Sequence, residues 1–247
     1  MLDIGSSGQN VRQWQLFLVG QGLAPGVVDG SFGPKTRNAT AEFQKRHGLD
    51  DDGVVGTQTL QVAAKLGYGK VDAPQPGSLV KALTYMDKQR LFGPLTYVSA
   101  SSSGNPEAIK ITNSWAKKLK KVEIPQLAGV SGAPKDCTVL FHEKGADKLV
   151  RLWKKWENDG LLPLVLSWSG AWAPRFVRGS KTYLSSHAFA TAFDINAQWN
   201  SLGIVPPASG VHGSVRDLVP AANELGFFWG GSWGTRPDGM HFELGAQ

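Results

Sequence analysis

Ser185-Ser186-His187-Ala188-Phe189-Ala190-Thr191-Ala192-Phe193-Asp194 and, further along, Asp238-Gly239-Met240-His241-Phe242-Glu243 set the reading of this chain. The run from Ala192 to Ile195 alternates, which predicts a strand carrying Ala192 and Asp194 on one face. Met240 to Leu244 reads the same way, with His241 and Glu243 on one face and Phe242 on the other. Asp238 lies between Pro237 and Gly239, in a turn ahead of that second strand. The two stretches therefore supply two imidazoles and several carboxylates within short spans of regular structure. A catalytic zinc commonly takes three nitrogen or oxygen ligands and leaves a fourth position for water, with no thiolate required. A further carboxylate can then move a proton. On the residues alone, Asp238 and Glu243 are rivals for that task.

The spacing Ser-x-His, six residues, Asp-Ile, then a distant Asp-x-x-His-Phe-Glu resembles the zinc D-Ala-D-Ala carboxypeptidase and L-alanyl-D-glutamate endopeptidase family, to which VanX- and VanY-type enzymes and many phage endolysins belong. Arg175 in Ala-Pro-Arg-Phe-Val-Arg-Gly, Trp199-Asn200 and Gly226-Phe227-Phe228-Trp229-Gly230-Gly231 extend the resemblance. It implies that His187, Asp194 and His241 bind one zinc ion per chain, that Asp238 is the catalytic base, and that Arg175 contacts the substrate carbonyl or carboxylate. Glu243 is left to orient a ligand. Ser185, Arg178 and Trp229 are expected on the substrate side. The family usually has Gly where this chain has Ala190, a methyl that would tighten the turn beside the metal.

Residues 1–66 contain a repeat. Asp29-Gly30-Ser31-Phe32-Gly33-Pro34-Lys35-Thr36 and Asp52-Gly53-Val54-Val55-Gly56-Thr57-Gln58-Thr59 share Asp-Gly-x-x-Gly-x-x-Thr. Each copy predicts a tight, glycine-dependent loop leading into a helix, with Pro34 suited to a first turn. Val11, Trp14, Phe17 and Leu18 mark a preceding amphipathic helix. With Gly8-x-x-Val11-x-x-Trp14-Gln15 and Phe43-Gln44, these residues resemble the three-helix peptidoglycan-binding module found beside many wall hydrolases. The resemblance implies binding to glycan or stem peptide without catalysis.

The expected organisation is a module at 1–66, a linker at 67–78 rich in Gly and Pro, and a zinc peptidase domain at 79–247. The expected fold class is α+β, with a small three-helix N-terminal module followed by a domain built on a small antiparallel sheet carrying the metal ligands. Helices are expected at 79–91, around Ala146 to Trp156 with a stop at Gly160, and from Val215 to Leu225, where Pro220 marks either a kink or the true start. Strands are expected at 138–142 and 164–168. Trp153 and Trp156 form a core stripe, whereas Trp229 and Trp233, in Gly-rich sequence, suit a cleft wall.

Composition narrows the function classes. The chain has 247 residues, 41% of them hydrophobic, enough for a sizeable core. The single cysteine, Cys137, excludes an intramolecular disulfide, and nothing near it marks an activated thiolate. The net charge of +6 favours an anionic partner. Lys117-Lys118-Leu119-Lys120-Lys121 reads as a solvated helix face rather than a nucleic-acid site, since no recognition helix or base-stacking motif accompanies it. His47 fits a helix end, His142 a strand terminus and His212 a Gly/Ser loop. No run is long and apolar enough for membrane insertion. The opening residues lack a signal-peptide pattern. The expectation is synthesis in a host cytoplasm and action on the wall, in the periplasm, after holin-type release.

Together these readings predict a peptidoglycan hydrolase of endolysin type from a bacteriophage, a bacteriolytic zinc metallopeptidase that degrades the cell wall as a monomer. Its expected bond is L-alanyl–D-glutamate. A D-alanyl-D-alanine carboxypeptidase or D,D-endopeptidase is the alternative, and a non-catalytic wall-binding protein stands behind both.

Overall fold

The computed structural model describes residues 1–66, 68 and 80–246. The expected linker at 67–78 and the start of the expected 79–91 helix fall outside these residues, apart from Tyr68. The chain divides into two compact units. One takes in the N-terminal residues with 198–217 and 231–239, and the other the remaining described residues.

In the first unit three helices, α1 (Gln9–Gly20), α2 (Pro34–Arg46) and α3 (Thr57–Lys65), enclose a core centred on Val11, Trp14, Leu18, Phe43, Val55 and Ala63. Trp14 meets Phe43 edge to face at 5.6 Å, and its indole N–H donates to the Thr40 hydroxyl at 2.8 Å. The repeat explains itself here. The Asp29 carboxylate accepts the Ser31 N–H and the Asp52 carboxylate the Val54 N–H, each at 2.8 Å, closing each loop on its own side chain. Gly30 and Gly53 then take positive φ, 80° and 74°. A buried glutamine plugs each loop. Gln15 accepts the Gly30 N–H at 2.9 Å and donates to Thr36; Gln44 accepts the Gly53 N–H at 2.8 Å and donates to Thr59. The shared Asp, Gly and Thr are thus the three groups that the glutamine arrangement needs.

The second unit opens with α4 (Tyr85–Phe92), started by a reciprocal cap between Thr84 and Asp87. This is shorter than the expected helix, because the Thr84 cap fixes the first turn. Two hairpin-like pairs follow: β1 (Tyr97–Ser99) with β2 (Ile109–Ile111), and β3 (Leu119–Glu123) with β4 (Thr138–His142). The lysine run is not a helix face. A 3-10 turn, Ser114–Lys118, gives way to β3, where Val122 is buried opposite Val139 while Lys120 and Lys121 stay exposed. Strand pairing supplied by β4 overrides the local helical pattern.

Helix α5 (Glu143–Asn158) buries Leu149, Leu152, Trp153 and Trp156 and stops before Gly160, which has φ 71°. The strand expected at 164–168 starts later. Pro163, without an N–H, sits in a 3-10 turn at Leu162–Leu164, and β5 is Trp168–Gly170. After β6 (Ala192–Ile195), Pro220 lies in the first turn of α6 (Val219–Glu224), so it marks that helix's start rather than a kink. With β7 (Phe227–Trp229) and β8 (His241–Leu244), the strands form a four-stranded antiparallel sheet in the order β5-β6-β8-β7. One face is aromatic: Phe193 stacks on Phe242 at 5.4 Å and on Trp168 at 5.8 Å, with Trp156 edge-on to both phenyl rings. The other face is polar. Among the described residues, no helix is long and apolar enough to cross a membrane.

Candidate metal centre

The register of the sheet builds the site. Asp194 on β6 lies directly opposite His241 on β8, as Phe193 lies opposite Phe242. Alternation then places the carboxylate and imidazole on one face and the aromatic pair on the other. His187 comes from the turn before β6, wound by successive bonds from Ala188, Phe189 and Ala190 N–H to the carbonyls of Ser185, Ser186 and His187. That turn reverses at Ala190, which is buried and has φ 50°. Its carbonyl accepts the His142 N–H at 2.7 Å. The conformation there is the one that favours glycine, so the alanine costs about 1 kcal/mol of strain, held by surrounding contacts.

Three donor groups converge. His187 Nε2 is 3.1 Å from Asp194 Oδ2 and 3.1 Å from His241 Nδ1, and His241 Nδ1 is 2.9 Å from Asp194 Oδ1. A ligand atom from each residue lies within 4.8 Å of those of the other two. Both rings are fixed from behind. His187 Nδ1–H donates to the Ala171 carbonyl at 2.5 Å, leaving Nε2 as the free lone pair. His241 presents Nε2 to Glu243 Oε2 at 3.3 Å, which turns Nδ1 toward the centre. Two imidazoles and one carboxylate, each ring with an outer partner, suit a zinc ion.

The electrostatics agree with a cation at this point. Burial alone would raise the Asp194 carboxyl and lower the His241 imidazole, but each outweighs it for the other. Asp194 is held far below the usual carboxylate range by His187 and His241. His241 is raised to about 10 by Asp194 and Glu243. Glu243 is lowered to about 2 against its own burial by Lys88, His241 and Ser186. The metal-free site therefore keeps a proton where a metal would sit.

Each remaining candidate has a definite place. Ser185 is buried and its Oγ accepts the His187 N–H at 3.3 Å, a turn-building role. Arg175 is half-buried, and its guanidinium donates to the Phe176 carbonyl at 3.2 Å. Arg178 is exposed and pairs with Glu107 at 2.7 Å. Trp229 lies in β7, buried, opposite Phe242. Asp238 is half-buried, in the irregular segment three residues ahead of His241. Glu243, on β8, is 1% exposed and faces His241 rather than solvent. His47 caps α2, His142 ends β4 and caps α5, and exposed His212 meets Trp199 edge-on.

Three neighbours escape sequence patterning. Ser186 donates to Glu243 Oε2, and Lys88 from α4 reaches both Ser186 Oγ at 2.6 Å and Glu243 Oε2 at 3.0 Å. The available signal for Lys88 is its position four residues before buried Phe92, on the inward side of a short helix. Asn196, just after β6, has φ 53° and accepts the Leu166 and Ser167 N–H groups while donating to the Leu164 carbonyl. It braces the sheet behind Asp194.

Comparison with known proteins agrees with both regions. Residues 178–244 match the model of the D-alanyl-D-alanine carboxypeptidase family, and residues 7–62 that of a putative peptidoglycan binding domain. The chain is thus similar to a peptidoglycan-binding domain near its N-terminus and to the D-alanyl-D-alanine carboxypeptidase family near its C-terminus. It is similar to the zinc D-Ala-D-Ala carboxypeptidase of Streptomyces albus G, 43% identical over 64 residues, 24% of each chain. It is also similar to the spore cortex-lytic enzyme of Bacillus cereus, 41% identical over 65 residues, 26% of this chain and 25% of that one. The N-acetylmuramoyl-L-alanine amidase CwlM of Mycobacterium tuberculosis is 33% identical over 79 residues, 30% of this chain and 20% of its own. The chain spans about a quarter or less of the length of these curated relatives. Among solved structures, a Burkholderia AP3 phage endolysin aligns over 70% of this chain and 68% of its own at 22% identity, with a TM-score of 0.25, a likeness too loose to argue from.

Proposed function

We propose that this protein is a zinc-dependent peptidoglycan hydrolase that cuts stem peptides, with the L-alanyl–D-glutamate bond as its target. The observation that carries the reading is the convergence of His187, Asp194 and His241, each ring oriented from behind. These three residues would hold one zinc ion per chain. Zinc, when bound, supplies a Lewis acid for the peptide carbonyl and makes a water more acidic. The chain's own residues do the rest. Asp238, in the segment leading into β8, takes the proton of the attacking water and returns it to the leaving amine. Arg175 binds the substrate carbonyl or carboxylate. Arg178 is the weaker candidate, because Glu107 already opposes its charge. The N-terminal module keeps the peptidase at the wall and raises the local concentration of stem peptide.

The family description itself favours a second reading, removal of a terminal D-alanine. An arginine is suited to a free carboxylate in that case. Mass spectrometry of digested peptidoglycan decides between them, run with chelated and zinc-restored controls. New amino termini at L-alanyl–D-glutamate bonds, lost on chelation, support the endopeptidase. Free D-alanine moves the assignment to the carboxypeptidase, and opened cross-links to a D,D-endopeptidase. Binding to sacculi with no zinc-dependent product overturns the hydrolase reading.

A further inference from the structure

We propose that Lys88 is a positioning residue for the metal centre, acting through Ser186 and Glu243 to fix the ring of His241. The proposal rests on the reading of His241 as a metal ligand. Lys88 lies on α4, upstream of the segment that the peptidase family model matches, residues 178–244. Its ammonium group is nevertheless drawn into the site: the side chain is 12% exposed and that of Glu243 1%.

The hydrogen bonds have one possible direction. An ammonium group only donates, so Ser186 Oγ, 2.6 Å away, accepts from Lys88. The Ser186 proton is then free to point at Glu243 Oε2, where the structure places it. Lys88 donates to the same oxygen at 3.0 Å. Glu243 Oε2 thus meets Lys88 Nζ, Ser186 Oγ and His241 Nε2. An oxygen held as an acceptor on two sides remains an acceptor toward the ring, so the proton of a neutral His241 belongs on Nε2 and its lone pair on Nδ1. Nδ1 is the atom 2.9 Å from Asp194 and 3.1 Å from His187. Without Lys88 the Ser186 hydroxyl loses the donor that orients it, and the Glu243 side chain loses its lysine ion pair.

Lys88→Met tests this, since methionine keeps most of the side-chain volume and removes only the charge and donors. Zinc affinity of the full chain is read by competition with a chromophoric chelator, and the Nε2 proton of His241 by nitrogen-15 NMR of zinc-loaded protein. The expected result is a loss of about 10–100-fold in zinc affinity together with faster solvent exchange of the His241 Nε2 proton. Wild-type protein that binds no zinc would overturn the metal site itself, and this proposal with it. Wild-type protein that binds zinc, with Lys88→Met within twofold of it and the same His241 exchange, leaves the site standing and removes Lys88 from it. Weaker zinc binding with unaltered His241 exchange also counts against the proposal, because Lys88 would then only brace α4. Should Lys88→Met fail to fold, Lys88→Gln carries the same two readouts with the same expected direction.

Discussion

The N-terminal module and the sheet of the second unit both bury polar side chains, and they do so to opposite ends. Gln15 and Gln44 are neutral amides whose donors and acceptors are all turned on nearby backbone, Asp and Thr groups, so each loop is closed on itself. His187, Asp194 and His241 instead aim their outer atoms at fixed partners and their inner atoms at one another. A satisfied amide strengthens a fold. Ionisable groups crowded inside 4.8 Å require a proton or a cation between them. The difference separates a polar core closed on itself from one suited to a cation.

The comparison can be broken at either end. The largest effects belong to the metal centre. His187→Ala should abolish turnover and weaken zinc by more than the ~100-fold that loss of an outer partner costs, as measured by chelator competition. Wild-type zinc affinity in that variant would break the contrast outright. Asp238→Asn should keep zinc and lower kcat by about 10²–10⁴-fold, a split visible by running the metal assay and the peptidoglycan digest on one preparation. In the module, Gln44→Leu leaves the Gly53 N–H and the Val54 carbonyl without the amide, and should destabilise the fold by about 2–4 kcal/mol, seen in thermal melting of the full chain. Zinc affinity should be unchanged in that variant; a loss would mean the two kinds of polar core are not independent.

Acidity sharpens the contrast further. His241 in the metal-free protein is raised to about 10, so its contribution to stability is full below its ordinary value of 6.5 and fades as pH rises through 10. Asp194 and Glu243 run the other way: their contributions are present above the ordinary carboxylate values and fade as acid titrates the folded groups. On the proposed reading, zinc would have to displace the His241 proton at neutral pH. Its affinity should therefore rise about tenfold per pH unit between about 7 and 9, whereas the melting of Gln15 and Gln44 loops should be flat across that range. The smallest effect is expected at Arg178→Ala. Its pair with Glu107 is solvent-exposed on the arginine side, and its loss should cost less than ~1 kcal/mol.

How far these features are legible in the sequence depends on the range of the interactions that make them. Asp194, His241 and Glu243 can be placed by alternation because a strand of four residues fixes its faces locally. The Asp-Gly loops are equally local, and only the glutamine plug, arriving from the preceding helix, needs the structure. Lys88 is illegible for the opposite reason, since its partner Glu243 is 155 residues away. The lysine run at 117–121 misleads because its state is set by pairing with β4; that strand is legible at 138–142, but the segment it pairs with is not local information. Pro220 is ambiguous in sequence, where a kink and a first turn look alike, and the chain on either side decides between them. Ala190 shows how a small departure is absorbed: the buried turn holds a left-handed alanine where glycine would sit unstrained.

The pairing of β6 with β8 has one more implication. Because side chains alternate, a slip of one residue would carry Phe242 to the polar face and bury the imidazole of His241 among Trp156 and Phe193. A sheet slipped by one residue could not bring His241 and Asp194 together on the polar face. If zinc binds as proposed, its uptake would report the register of this sheet, and a chain that has threaded its last strand one residue out would fail to take the metal.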